Sequence, residues 1–169
     1  AEINVPSELT FDAGEYRKTL HVTVGNIKSG VTYPVAITID PSAASSFEDA
    51  ITTKVVSVYR DYTYTSIGTG KLISEFFGAE GEAEIQKADD INWYKAISLY
   101  EEGYDLVFKI ADNGEDVTVD KQPIASDISG YGTAYAAGKG KLENGVITVT
   151  LEFTVSAGSF STAKEVIIL

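Results

Sequence analysis

The chain has 169 residues, with 13 Lys+Arg against 25 Asp+Glu, a formal net charge of -12, one His, one Trp, and neither Cys nor Met. That charge disfavours nucleic acid and anionic lipid surfaces as partners. The missing Cys excludes disulfides, thiolate metal sites and cysteine nucleophiles, and a single His excludes any multi-histidine metal centre.

Residues 1–5 (AEINV) have no basic start and no apolar run, so they are not a signal peptide. No stretch approaches the eighteen or so apolar residues of a membrane helix. Opening on Ala1 without any Met fits a mature or trimmed chain, with a lipidated N-terminus lying outside it. Lys18–Val24 (KTLHVTV) alternates, with Leu20, Val22 and Val24 on one face, and predicts a half-buried strand that leaves His21 facing solvent. Val31–Ile39 resumes the alternation, and Pro34, lacking an N–H, predicts a sheet edge or bulge. Asp40–Asp49 reads as loop and Ile51–Val58 as a further strand.

The character then changes to aromatic and polar at Tyr59–Tyr64, which sets a domain boundary near 58–62. Ser66–Gly70 (SIGTG) predicts a tight turn or a bulge, and Leu72–Phe77 a short strand or one helical turn. In Trp93–Leu99, residues Trp93, Lys95, Ile97 and Leu99 share a parity, with Tyr94 and Ala96 on the other. Tyr104–Ile110 is a strand with Tyr104, Leu106, Phe108 and Ile110 on one side. Asp112-Asn113-Gly114 predicts a type I′ hairpin returning through Val117–Val119. Tyr131–Ala137 predicts a strand and Gly138-Lys139-Gly140 a turn. Asn144-Gly145 marks a second hairpin opening into Val146–Val155, with Ile147, Val149, Leu151, Phe153 and Val155 inward, and Lys164–Leu169 closes the sheet.

Short strands every eight to fifteen residues, with no amphipathic helix, predict an all-β chain. The expected arrangement is an Ig-like β-sandwich over 1–58, reduced or incomplete because it has only four strands, Leu9–Phe11 and the three named above. A second antiparallel sandwich or barrel-like domain follows over 62–169.

Chemistry-bearing motifs are weak. The pairs Glu48-Asp49, Asp89-Asp90 and Glu101-Glu102 are adjacent, so on a strand their side chains diverge, and with 25 acids none is singled out. Asp112–Asp116 (DNGED) lacks the spacing of a calcium loop. Gly68-Thr69-Gly70-Lys71 is followed by Leu72 instead of Ser or Thr and a helix, so it is no phosphate loop. His21 has no nucleophile elbow to serve. No catalytic residue, metal site or cofactor is assigned. The remaining signal is aromatic: ten Tyr and one Trp, concentrated from Tyr59 onward. Tyr and Trp offer a flat apolar face with a polar edge, suited to sugar rings or protein partners. Trp93, Tyr94 and Tyr131 are the candidate ligand-binding residues; packing within the sheet is the alternative role for such side chains.

Leu9-Thr10-Phe11, Ala13-Gly14-Glu15, Lys18-Thr19-Leu20, Val22 and Val24, then Gly30 and Tyr33, form a cadence that resembles the N-terminal β-sandwich region of secreted or surface lipoproteins of gut Bacteroidetes. Tyr62–Gly70, Tyr104–Ile124, Tyr131-Gly132 and Gly158-Ser159-Phe160 resemble the β-rich C-terminal domain that often follows it. The resemblance implies export to the outer membrane, cell surface or periplasm, commonly with a lipid anchor on an N-terminal cysteine. It also implies a link to glycan capture or adhesion. No catalytic residue comes with it, and the lipobox cysteine is not in this sequence. The expected function is a non-enzymatic binding module, with polysaccharide or a surface protein as partner. A structural or adhesion spacer is the alternative, and a glycoside hydrolase the third.

Overall fold

The computed structural model describes residues 2–43, 46 and 50–169, and among them every regular element is a strand. The chain divides into two compact units, Ala1–Tyr62 and Thr63–Leu169.

In the first unit, β1 (Ile3–Asn4) pairs antiparallel with β2 (Thr23–Val24). β3 (Thr32–Thr38) pairs antiparallel with β4 (Thr53–Tyr59), from Thr32↔Tyr59 to Thr38↔Thr53. Of the strand predicted over Lys18–Val24, only the last two residues form one. Alternation makes a strand where a partner ladder exists, and here the ladder reaches only Ile3 and Asn4. Pro34 lies in β3, whose second edge carries no strand among the described residues. His21 is exposed. The predicted 40–49 loop begins with a turn in which the Asp40 carboxylate accepts from the Ser42 amide (2.8 Å) and hydroxyl (2.6 Å). The Glu48-Asp49 pair lies outside the described residues.

The second unit is a closed antiparallel barrel of eight strands. They are β5 (Tyr64–Ser74), β6 (Ala79–Ala88), β7 (Trp93–Glu101), β8 (Tyr104–Ile110), β9 (Asp116–Ala125), β10 (Ala134–Glu143), β11 (Val146–Val155) and β12 (Gly158–Ile168). Each strand pairs with its sequence neighbours, and β12 returns to β5 through Glu165↔Ser74 to Ile168↔Lys71. Closure leaves no free sheet edge where the ladders are complete. Of the two arrangements expected for this region, the barrel is the one present.

Alternate residues fill the interior. Leu106 and Phe108 of β8, Val117 and Val119 of β9, Ile147, Val149, Leu151 and Phe153 of β11, and Ile167 of β12 are all buried. The parities predicted for Tyr104–Ile110 and Val146–Val155 are those observed. Of the tight turn or bulge expected at SIGTG, the bulge is the one present, between Ser66 and Gly68 within β5. Elsewhere the structure departs from expectation. Strand β6 was not expected: its inward residues include Ala83 and Ile85 among exposed glutamates, a thin apolar signal. In β7 it is Ala96 that is buried, with Tyr94 packed against the core, so Trp93 and Lys95 face outward.

Gly138-Lys139-Gly140 lies inside β10 and is not a turn. A Cβ at Gly138 would overlap the Thr150 carbonyl oxygen, and one at Gly140 that of Thr148, so these glycines let β10 and β11 approach. The expected type I′ hairpin at Asn113-Gly114 is a different turn. Gly114 alone has positive φ (77°), and the Asn113 carbonyl oxygen of the side chain accepts from the Glu115 and Asp116 amides, both at 3.0 Å. Asn144 (φ 50°) and Gly145 (φ 79°) do form the type I′ pattern between Glu143 and Val146.

Candidate functional site: the aromatic end of the barrel

The meander sends β5, β7, β9 and β11 toward one end of the barrel and the other four back from it. The end reached by the first group carries the turns 75–78, 102–103, 126–133 and 156–157. Trp93 and Tyr94 open β7 at the opposite end, whereas Tyr131 lies in the loop before β10. The three residues expected to bind ligand therefore do not converge.

Trp93 faces outward opposite Lys109, whose ammonium lies 4.3 Å from the ring centroid and is also held by Asp120 at 2.6 Å. One face of the indole is thus covered by a cation. Tyr94 turns inward, packs against the core and meets its cross-strand partner Lys87 at 5.6 Å.

Tyr131 is more than half exposed (55%) and is held by a built loop. The Asp127 carboxylate accepts from the Gly130 amide at 2.8 Å and the Gly132 amide at 2.5 Å, and the Tyr131 amide donates to the Ile128 carbonyl at 3.0 Å. Ser126 is tied to Glu101, at the end of β7, through its amide (3.1 Å) and hydroxyl (2.5 Å). The Tyr131 ring meets Phe160 edge-on at 5.8 Å. Phe160 lies 6.0 Å from Phe76, which stacks on buried Phe153 at 4.0 Å and meets Phe77 edge-on at 4.9 Å. Phe77 (48%) and Phe160 (39%) are exposed like Tyr131, so an aromatic surface runs across this end, rooted in the core by Phe153.

The turn that presents Phe76 and Phe77 is strapped to β12 twice. Glu75 accepts from the Lys164 amide at 2.6 Å and returns its own amide to the Lys164 carbonyl at 3.1 Å. Beneath it, Glu165 is wholly buried. Its carboxyl accepts from the Ser74 hydroxyl (3.0 Å), the Phe76 amide (3.2 Å) and the Tyr100 hydroxyl (3.2 Å). Burial pushes this carboxyl above the usual carboxylate range, while the three donors pull it back. Burial, followed by the Glu165 charge, likewise raises the Tyr100 phenol. Three fixed donors around one acid make it a clamp for the turn.

Of the residues gathered at this end, sequence reasoning named Tyr131 as a ligand-binding candidate and none of Phe76, Phe77, Phe160 or Glu165. One signal for Glu165 was available: it shares the parity of Ala163 and Ile167, which marks an acid aimed into a core. At Asp112–Asp116, Asp116 is engaged by Lys141 at 2.7 Å and by Asn113 at 2.6 Å, and the Lys141 ammonium holds its carboxyl below the usual range. Among the described residues no cluster of three or more His, Cys, Asp or Glu could hold a metal ion, and no helix is long and apolar enough to cross a membrane. Comparison with protein-family models, with curated proteins and with solved structures gave no match.

Proposed function

We propose that the chain is a non-enzymatic binding module of an exported surface or periplasmic lipoprotein, with its first unit a reduced Ig-like region and polysaccharide as its ligand. The observation that carries this reading is the exposed aromatic surface of Phe77, Phe160 and Tyr131, held by a preformed loop and a doubly strapped turn. Sugar rings present apolar C–H faces that stack on such a surface, and hydroxyls at their edges reach polar groups at the rim. Preorganisation matters because the ordering cost of the loop is met on folding, before ligand arrives. Export and anchoring rest on the sequence resemblance.

The test is calorimetric titration of the whole chain with a panel of soluble polysaccharides, repeated with Tyr131→Ala and Phe160→Ala. Saturable binding that weakens about tenfold or more in each variant, the equivalent of a lost interface anchor, is expected. Absence of binding across the panel, or binding indifferent to both substitutions, would overturn the proposal.

A spacer or adhesion role has one observation in its favour. The β3–β4 pair exposes Val55 on one face and Val56 on the other, and Ile39 and Ile51 flank it exposed, apolar side chains suited to a neighbouring protein. Removal of that surface by Val55→Thr with Val56→Thr should then abolish assembly, seen by sedimentation, without touching polysaccharide binding.

A further inference from the structure

One seam of the barrel is incomplete. The ladder between β6 and β7 runs only from Ile85↔Ala96 to Lys87↔Tyr94, although the strands have ten and nine residues. Beyond it β7 bulges, with Ser98 at φ 50° and its register to β8 shifted between Ala96 and Glu101. The neighbouring seam is also short, with two ladder pairs between β8 and β9, but there the Gln122 side chain takes the place of a strand. It accepts from the Val107 amide at 2.9 Å and donates to the Val107 carbonyl at 3.1 Å. No such substitute fills the β6–β7 seam among the described residues. A cleft of about 170 Å³ opens there, walled by Leu72, Leu99, Phe77 and Tyr100, with Gly81 on the inward parity of β6 and Ser74 at its base.

Hydrogen-bond bookkeeping decides what could occupy it. The Ser74 hydroxyl donates to Glu165 and its oxygen accepts from the Phe77 amide at 3.1 Å. The Tyr100 hydroxyl also donates to Glu165, which leaves its oxygen with acceptor capacity. Both hydroxyl protons are committed, so the Ser74 and Tyr100 side chains offer the cleft acceptor oxygens and no hydroxyl donor. Glu80 at its mouth, paired with Lys71 at 2.6 Å, and Glu165 behind it disfavour an anion. The Phe77 and Tyr100 rings contact each other, centroids 5.4 Å apart at 37°, and form one continuous apolar wall against which a flat guest can lie. A dry cavity of about 150 Å³ holds one benzene in a well-characterised case, so this volume suits one ring with a small substituent.

We propose that this cleft binds a single-ring phenol, its ring against Phe77 and Tyr100 and its hydroxyl donated to the Tyr100 oxygen. The site shares Phe77 with the polysaccharide surface, but Gly81, Leu72 and Leu99 take no part in that surface and Tyr131 and Phe160 take none in the cleft. Gly81 also supplies a probe: a Cβ there meets no atom within 4 Å, so a side chain can start into the cleft without a clash at its first carbon.

The experiment is titration of the whole chain with phenol itself, followed by heteronuclear NMR, with toluene and benzoate as comparison ligands. Saturable shifts with phenol, at least fivefold weaker binding of toluene and none of benzoate are expected. Gly81→Leu should weaken phenol at least tenfold with an unchanged melting temperature. Tyr100→Phe should erase the preference for phenol over toluene. Tyr131→Ala should leave phenol binding intact, and Gly81→Leu should leave polysaccharide binding intact, so either site can fail without the other. Non-saturating shifts, equal affinity for toluene in the unsubstituted chain, or indifference to Gly81→Leu would overturn the assignment.

Discussion

Two buried side chains at the aromatic end do opposite things to stability. Phe153 is fully buried and touches the rings of Phe76, Phe77 and Tyr100, so it joins the presenting turn to the barrel core. Phe153→Ala removes that apolar area and leaves a cavity that strands cannot readily collapse. A loss of about 3–5 kcal/mol is expected, read from the midpoint of urea unfolding. A loss near zero would show that the cluster does not anchor the turn. Glu165 behaves differently because burial raises the pH at which it ionises above that of an unfolded glutamate. Between the unfolded and folded values the folded state holds more proton, so stability falls as pH rises through that interval. The slope reaches up to about 1.4 kcal/mol per pH unit. Below it the group is neutral in both states and the loss disappears. Glu165→Gln has no such interval, so its melting temperature minus that of the unsubstituted chain should grow as pH rises above the usual glutamate range, from about pH 4 upward. A difference flat in pH would remove the buried acid from the account.

Among the strands, glycines divide into those that permit close backbone approach and those that do not. Gly138→Ala or Gly140→Ala drives a Cβ into a carbonyl oxygen of β11, and the ladder must open to accept it. Each should cost more than about 2 kcal/mol, in the range of overpacked cores. Gly81→Ala, which meets open space, should stay within about 1 kcal/mol of the unsubstituted chain. Equal effects at the three sites, measured by chemical denaturation, would sink the distinction.

These same glycines show what the sequence made legible. Val146–Val155 and Tyr104–Ile110 were readable to the residue because branched and aromatic side chains alternate without interruption. Gly138-Lys139-Gly140 read as a turn because a glycine pair signals one locally. Only the partner strand reveals that the missing side chains make room for Thr148 and Thr150. Strand β6 was invisible for a different reason: its inward positions are glycine and alanine as well as isoleucine, so the apolar alternation that marks a strand is thin. Tyr131 was reachable from composition. Its companions Phe76 and Phe160 were not, because their proximity depends on which strand ends share one end of the meander.

At the scale of the molecule, the core determines which part can stand alone. The buried hydrophobic cluster runs from Leu72 to Ile167, all within the second unit, and barrel closure uses only β5 and β12. In the first unit Ile27 and Ser29 are the buried residues among those described, and its strands form two separate pairs. A two-stranded pair is marginal in water unless something covers its apolar face. Residues 63–169 should therefore fold without residues 1–62, giving a cooperative thermal transition by circular dichroism within about 5 °C of the main transition of the whole chain, the shift that about 1 kcal/mol would produce. The reciprocal fragment, 1–62, should show no comparable transition. An unfolded 63–169 fragment would mean that the barrel draws stability from residues outside its own core. If the fragment folds and still binds both polysaccharide and phenol, the two proposed sites belong to the barrel itself, and the first unit is free to serve a protein partner through β3 and β4.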